Sequence, residues 1–400
     1  MINKGEVPEE NKCIKEWKKY KFEDIAILST NKYYPKEDAK NYRCIELEHI
    51  NQETGRINGW SNSIEQKSAK TYFKTGDILY GKLRPYLKKY YLAEFDGVCS
   101  TEIWVIKGKT NLVCNEFLFY LIQTEKFNFV ANISTGTKMP RADWDYIKST
   151  IFKIPPLPEQ RKITEILSTW DKAIELKEQL IEEKKEQKKG LMQKLLRGEV
   201  RLPGFDGDWE EVKLGSLIKE SNERSTEINQ HEILSVTKEG IVLQSEYFNK
   251  QIASVNNKGY KIVRKGDLVF STLNLWMGSV DILTKHDIGI VSPAYKVYTI
   301  DYTKLDMNFF KNYIKSSQMI YLYNINSEQG ASVVRRNLDL KGLLNSKVKM
   351  PCYTEQKAIG NILSTADKEI ELLEGELEQL KLQKKGLMQL LLTGIIRVKC

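Results

Sequence analysis

Forty residues written twice constrain this chain more than anything else in it. Glu159–Gly198 and Glu355–Gly394 align at an offset of 196, with 25 of 40 positions identical. The shared text runs through Ile166-Leu167-Ser168-Thr169 and Ile362-Leu363-Ser364-Thr365, and ends in Lys188-Lys189-Gly190-Leu191-Met192-Gln193 and Lys384-Lys385-Gly386-Leu387-Met388-Gln389. Weaker matches precede each copy in the same order. Trp17 answers Trp209, Gly76-Asp77 answers Gly266-Asp267, and Gly136 and Arg141 answer Gly330 and Arg335. A duplicated order of this kind means two tandem units, each a globular part followed by the repeated segment.

The repeated segment reads as a helix. Pro155-Pro156-Leu157-Pro158 blocks helix upstream and permits a start at Glu159, whose charge suits a helix N-terminus. Spacings of four and three mark a seam on the first copy at Ile163, Leu167, Trp170, Ile174, Ile181, Leu191 and Leu195. On the second copy it runs through Ile359, Leu363, Ile370, Leu373, Leu377, Leu380, Leu387 and Leu391. A 3.5-residue period kept this long predicts coiled-coil pairing along helices of about 57 Å. Lys177, Lys184 and Lys188 interrupt the first seam where the second has Leu373, Leu380 and Lys384, which favours pairing of the two helices with each other. The short linker 201–208 predicts that helix 159–197 pairs antiparallel with 355–393, with Ile163, Leu167, Trp170 and Ile174 facing the Leu380–Leu391 end. The expected fold class is α+β: two globular mixed α/β domains in tandem, each followed by a long helix, the helices forming an antiparallel coiled coil with pseudo-two-fold symmetry. The expected boundaries are 13–154, 155–200 (first helix), 201–208 (linker), 209–350 and 351–397 (second helix).

The globular halves mix short β-branched and aromatic runs, such as Ile78–Tyr80, Ile103–Ile106, Leu268–Ser271 and Tyr295–Ile300, with helical runs at Glu116–Thr124 and Asn308–Ile314. Two loops in each half collect basic and polar residues. After the Gly-Asp strand come Lys82, Arg84 and Lys88 in the first half, and Thr272 and Asn274 in the second. Further on come Lys138 and Arg141, then Arg335 and Arg336. Such side chains on glycine-hinged loops suit hydrogen bonding to phosphates and base edges, so these nine are the candidate DNA contacts.

Composition agrees without deciding. The net charge of +9, from 62 basic and 53 acidic residues, is compatible with a polyanionic partner. Six cysteines without a CxxC pair, in a chain with no signal sequence, predict reduced, buried thiols and a cytoplasmic protein. No apolar run approaches the length of a membrane span. A phosphate loop, a glycine-rich cofactor fingerprint, an Asn-Pro-Pro-Tyr motif and metal-ligand spacing around His49, His231 and His286 are all missing from the sequence. Acidic-x-Lys triplets such as Glu65-Gln66-Lys67 lack an acidic partner. No catalytic or metal-binding residue is therefore expected.

Two variable halves, each followed by a helix, with Pro-Pro-Leu-Pro-Glu-Gln at 155–160, Lys-Lys-Gly-Leu-Met-Gln at 188–193 and the junction Leu202-Pro203-Gly204-Phe205, resemble the specificity subunits of type I restriction-modification systems. The second copy departs at Pro351-Cys352-Tyr353-Thr354 but keeps Glu355-Gln356. The resemblance implies two target-recognition domains reading a bipartite, asymmetric site in double-stranded DNA. It implies helices that act as spacer and as docking surface for two modification subunits, joined by restriction subunits in the full complex. The chain itself would be non-catalytic and bind no cofactor, with S-adenosylmethionine, ATP and Mg on its partners. A structural coiled-coil scaffold and a stand-alone DNA-modifying enzyme are the alternatives.

Overall fold

A computed structural model describes residues 16–38, 40–135, 139–238, 240–248, 254, 256–329 and 336–399, with backbone alone at Ser134, Thr135 and Gln329. The chain forms two compact units, one from residues 1–177 and 376–400, the other from 178–375. Each unit joins one globular domain to part of both long helices.

In the first unit a four-stranded antiparallel sheet runs in the order Ala26–Leu28, Ile103–Gly108, Ile78–Gly81, Tyr90–Leu92. The second unit repeats that order with Ile218–Glu220, Tyr295–Ile300, Leu268–Ser271 and Val280–Ile282. The repeated Gly-Asp explains itself here. Gly76 and Gly266 adopt φ of +84° and +92°, open to glycine at little cost. Asp77 and Asp267 accept from the amides of Lys74 and Arg264 at 2.7 and 2.8 Å, closing the tight turn that launches the strand. Beyond the shared sheet the units diverge. The first adds a five-stranded sheet with one parallel pair, Arg43–Ile45 beside Gly97–Ser100, whereas the second has two-stranded pairs.

The helical run expected at 116–124 is two helices, Asn115–Leu121 and Glu125–Ala131. Thr124 is the N-cap of the second, accepting from Phe127 N–H at 3.4 Å. Each domain also closes at its base. Its first strand pairs antiparallel with its last, Lys18 opposite Ile154 and Glu210 opposite Met350, immediately before a long helix begins.

The long helices span Leu157–Leu196 and Tyr353–Thr393, each starting two residues earlier than the sequence suggests, with Pro158 tolerated in the first turn. Within each unit they run antiparallel. In the first, Lys177 pairs with Glu376 at 2.7 Å and Lys384 with Asp171. In the second, Lys184 pairs with Glu369 at 2.6 Å and Lys188 with Asp367. The lysines that interrupt the seam thus meet acids on the other helix. Partly exposed pairs of this kind contribute at most about 1 kcal/mol each, but they favour one direction of pairing.

Ile163, Leu167, Ile174, Ile181, Leu195, Ile359, Leu363, Ile370, Leu377 and Leu391 are buried, while Trp170, Leu373, Leu380 and Leu387 are half-buried. Leu191 is a correction: it stands 38% exposed. A straight helix drifts about 20° per heptad from a strict seven-residue repeat. By the end of the helix the inward face has moved onto Met192, Leu195 and Leu196, which pack in the second domain's core. Ile163 and Leu167 lie in the first domain's core with Leu391 and Leu392 from the other helix. Full burial of such side chains contributes about 1.5–3 kcal/mol each.

The Glu-Gln that opens each repeat fastens helix to domain. Gln160, fully buried, donates to Leu112 O and Pro155 O at 2.8 Å each and accepts from Cys114 N–H at 2.9 Å. Gln356 does the same toward Lys304 O, Pro351 O and Asp306 N–H at 3.1, 3.0 and 3.0 Å. The neighbouring glutamates are buried, and each is held by two hydrogen bonds from one arginine. Arg397 donates to Glu159 through Nε and Nη2 at 2.6 and 2.7 Å, and Arg201 donates to Glu355 at 2.7 and 2.9 Å. Each arginine follows the glycine that ends a helix, Gly198 or Gly394, at φ +68° or +76°, and each glycine lies against a tryptophan, Trp209 or Trp17.

Candidate nucleic-acid interface

The two loops singled out in the first half are stitched together. Arg84 N–H donates to Pro140 O at 2.7 Å, Ala142 N–H donates to Lys82 O at 2.8 Å, and Leu83 bridges to Arg141. Segments far apart in sequence therefore present one surface. Arg84 and Lys88 hold left-handed backbones, φ +53° and +47°, flanking the turn Pro85–Leu87. Non-glycine residues at positive φ cost of order 1–3 kcal/mol and gather at functional sites.

The side chains divide by what they already hold. Arg84 is exposed, and neither it nor Lys82 makes a side-chain hydrogen bond or ion pair among the described residues. Lys88 pairs with Glu53 at 2.6 Å. Arg141 donates from Nε and Nη2 to Glu102 at 2.9 and 3.1 Å, and this bond holds the Glu102 carboxyl below the usual carboxylate range. Lys138 lies outside the described residues.

In the second unit the same two segments meet: Arg336 N–H donates to Leu273 O at 3.2 Å. The Arg336 guanidinium sits 4.0 Å from the centre of the Trp276 ring and donates to Asn324 Oδ1. Stacking of this kind orients a guanidinium without neutralising it. Thr272 spends its hydroxyl on Ala294 O at 3.1 Å. Asn274 Oδ1 and Arg336 Nε are buried with no hydrogen-bond partner among the described residues. Arg335 lies outside the described residues.

One sequence correspondence shifts. The helices after the hairpins are capped by Asp143 and Asp339, and counting back from these Arg141 matches Asn337, not Arg335. The second hairpin is three residues longer between its paired ends, which a fixed offset hides.

Sequence reasoning missed Glu102 and Trp276 in these loops. It also missed exposed apolar pairs at matching places, one on and just past the helix Glu125–Ala131, the other on the helix Ser317–Ile325. Phe129 and Ile133 are 73% and 40% exposed, and Tyr321 and Ile325 are 63% and 57% exposed. The pairs stand five and nine residues after the caps Thr124 and Ser316.

Three other reactive side chains, His49, Cys44 and Cys99, are engaged by the fold. His49 Nδ1 accepts from Glu46 N–H at 3.0 Å. Burial pushes the Cys44 thiol up to about 11 and Cys99 higher still, so neither is poised as a nucleophile. Cys352, expected to be buried, is exposed, Cys114 is intermediate, and Cys13 and Cys400 lie outside the described residues. No helix among the described residues is long and apolar enough to cross a membrane.

A tandem pair of domains with duplicated loops and duplicated helix junctions defines a class, and comparison places the chain in it. The family described as "Type I restriction modification DNA specificity domain" matches residues 14–185 and again 206–382, so the chain belongs to the specificity subunits of type I restriction-modification systems. It is 27% identical to the putative type I restriction enzyme MjaX specificity subunit of Methanocaldococcus jannaschii, over 99% of this chain and 96% of that one. Over 37% of this chain and 33% of the relative it is 33% identical to the EcoDI specificity subunit of Escherichia coli. Among solved structures, a chain from a study of type I R-M complex assembly and conformational transition superposes with a TM-score of 0.62 at 18% identity, covering 98% of this chain and 100% of that one. The HsdS subunit from Thermoanaerobacter tengcongensis gives 0.50 at 19%, covering 95% and 97%. These likenesses show the same fold.

Proposed function

We propose that this specificity subunit reads a bipartite, asymmetric site in double-stranded DNA, one half with each domain, and carries no catalytic group of its own. The observation that supports this most is the stitching of two distant polar loops into one surface in both units. Lys82, Arg84, Lys88, Lys138 and Arg141 would serve one half-site, and Thr272, Asn274, Arg335 and Arg336 the other. The first set is strongly cationic and the second mixes amide, hydroxyl and stacked arginine, so the half-sites would differ. Replacing Lys82, Arg84, Lys138 and Arg141 together by alanine should weaken binding to all DNA, lower the salt slope by up to about three, and erode preference in one half-site only. Unchanged affinity and half-site preference in the assembled complex would remove these loops from the reading surface.

We further infer that two modification subunits dock on each chain, with S-adenosylmethionine on those subunits, and that restriction subunits bringing ATP and Mg join them in the cytoplasm. Matched exposure supports this. Leu176 and Leu372, equivalent in the repeat, are 53% and 70% exposed, and the Phe129–Ile133 and Tyr321–Ile325 pairs are duplicated likewise. Apolar side chains left open at the same place in two units suit a partner present twice. Leu176→Glu should remove one modification subunit and Leu372→Glu the other, giving one-to-one complexes by native mass spectrometry. Two subunits retained by the double variant would exclude this face.

A further inference from the structure

We propose that Arg141, held side-on by Glu102, reads a guanine in the major groove of the first half-site, with Glu102 as the positioning residue; this rests on the DNA-reading assignment above. The geometry of the pair carries the inference. Glu102 accepts from Nε and Nη2, the side-on edge of the guanidinium. The end-on fork of Nη1 with the second Nη2 hydrogen has no other hydrogen-bond partner among the described residues, and the Arg141 side chain keeps 46% of its exposure. Guanine presents O6 and N7 side by side in the major groove, two acceptors that match an end-on fork; adenine offers N7 beside an amino donor, which opposes it.

Charge separates this role from a phosphate contact. Phosphate binding draws its strength from net positive charge. A carboxylate bonded to the guanidinium brings the pair near neutrality, which weakens a phosphate contact while leaving the directional donors in place. Lys82 and Arg84, which hold no side-chain hydrogen bond or ion pair among the described residues, are better suited to the phosphates. Pairing with Glu102 also restricts the arginine's rotamers before binding, so less entropy is lost when the base is met.

The device belongs to one domain. Strand register sets Ile103 opposite Gly81 in the first unit and Tyr295 opposite Ser271 in the second, which puts Ala294 where Glu102 stands. No carboxylate is available there, and Arg336 is instead oriented by Trp276 and Asn324.

The test uses the full chain co-expressed with its modification subunits and a random-sequence DNA duplex library selected for binding. Wild type, Arg141→Lys, Glu102→Ala and Arg84→Ala are compared, with melting temperatures confirming folded complexes. The wild-type motif should hold an invariant guanine in one half-site, and preference at that pair should fall roughly tenfold in both Arg141→Lys and Glu102→Ala, with the other half-site intact. Glu102→Ala should also bind unselected duplex more tightly, with a salt slope steeper by about one, because it uncovers the charge of Arg141. A buttress that only stabilised the fold would leave base preference unmoved. Preference unchanged in both variants, a loss spread evenly over the motif, or an affected half-site without guanine would overturn the assignment. Should Arg84→Ala weaken binding while the other two keep the motif, the guanine assignment alone fails. Should all three leave affinity and motif unchanged, the loop reading fails with it.

Discussion

Replacing Arg201 with alanine should cost the second unit about 3 kcal/mol of unfolding free energy, measured by urea denaturation with a probe in that unit. Glu355 has a side chain 2% exposed, and among the described residues both of its side-chain hydrogen-bond donors belong to Arg201. Removing one partner of a buried pair typically costs about 3–5 kcal/mol, because the remaining charge stays desolvated. The Arg201 side chain keeps 28% exposure, which places the effect at the low end of that range. Substituting both members, Arg201→Met with Glu355→Leu, should recover most of the loss, since an apolar pair leaves no orphaned charge. Arg397→Ala should act on the first unit in the same way through Glu159, although there Trp17 Nε1 also donates to the carboxylate at 3.1 Å and softens the loss. A cost below 1 kcal/mol for Arg201→Ala would show that water already solvates Glu355.

Adding seven residues to both long helices, after Glu178 and after Glu374, should lengthen the unread gap in the target by up to about 3 base pairs, since seven helical residues rise about 10 Å. Each half-site should stay as it was, because no reading loop is touched. The insertions fall at equivalent positions of the repeat, so the ion pairs Lys177–Glu376 and Lys184–Glu369 keep partners on either side of the new turns. The methylated motif, read from the genome of cells carrying the altered subunit and its partners, reports gap and half-sites together. An altered half-site with an unchanged gap would refute the spacer role.

How far the sequence led depended on whether a feature was local. The long helices were readable because their signal is a period sustained over many turns, and the direction of pairing followed from a linker too short for anything else. The Gly-Asp motif marked the strand that launches each first loop because a turn with positive φ leaves glycine in the text. Glu102 was invisible for the opposite reason. It stands 39 residues from Arg141, beside it only through strand pairing, and an acid among candidate DNA contacts looks like a misfit until its geometry is known. The shift from Arg335 to Asn337 had a similar origin, since hairpins of unequal length break a constant offset. Gln160 and Gln356 did leave a trace: the second copy changed Pro-Leu-Pro yet kept Glu-Gln, the two letters that make the junction.

The pairing of each domain's first strand with its last has a mechanical consequence. Chain enters and leaves such a domain at neighbouring points, so the interior behaves as a closed excursion from the backbone that carries it. Strands can be gained or lost inside the excursion while the distance between its ends stays fixed by the two-strand clasp. The two domains already differ in this way, one with a five-stranded sheet where the other has separate pairs, over identical clasps. The interior of each domain can therefore change residue by residue or in whole segments, while the long helix that follows the clasp is inherited separately.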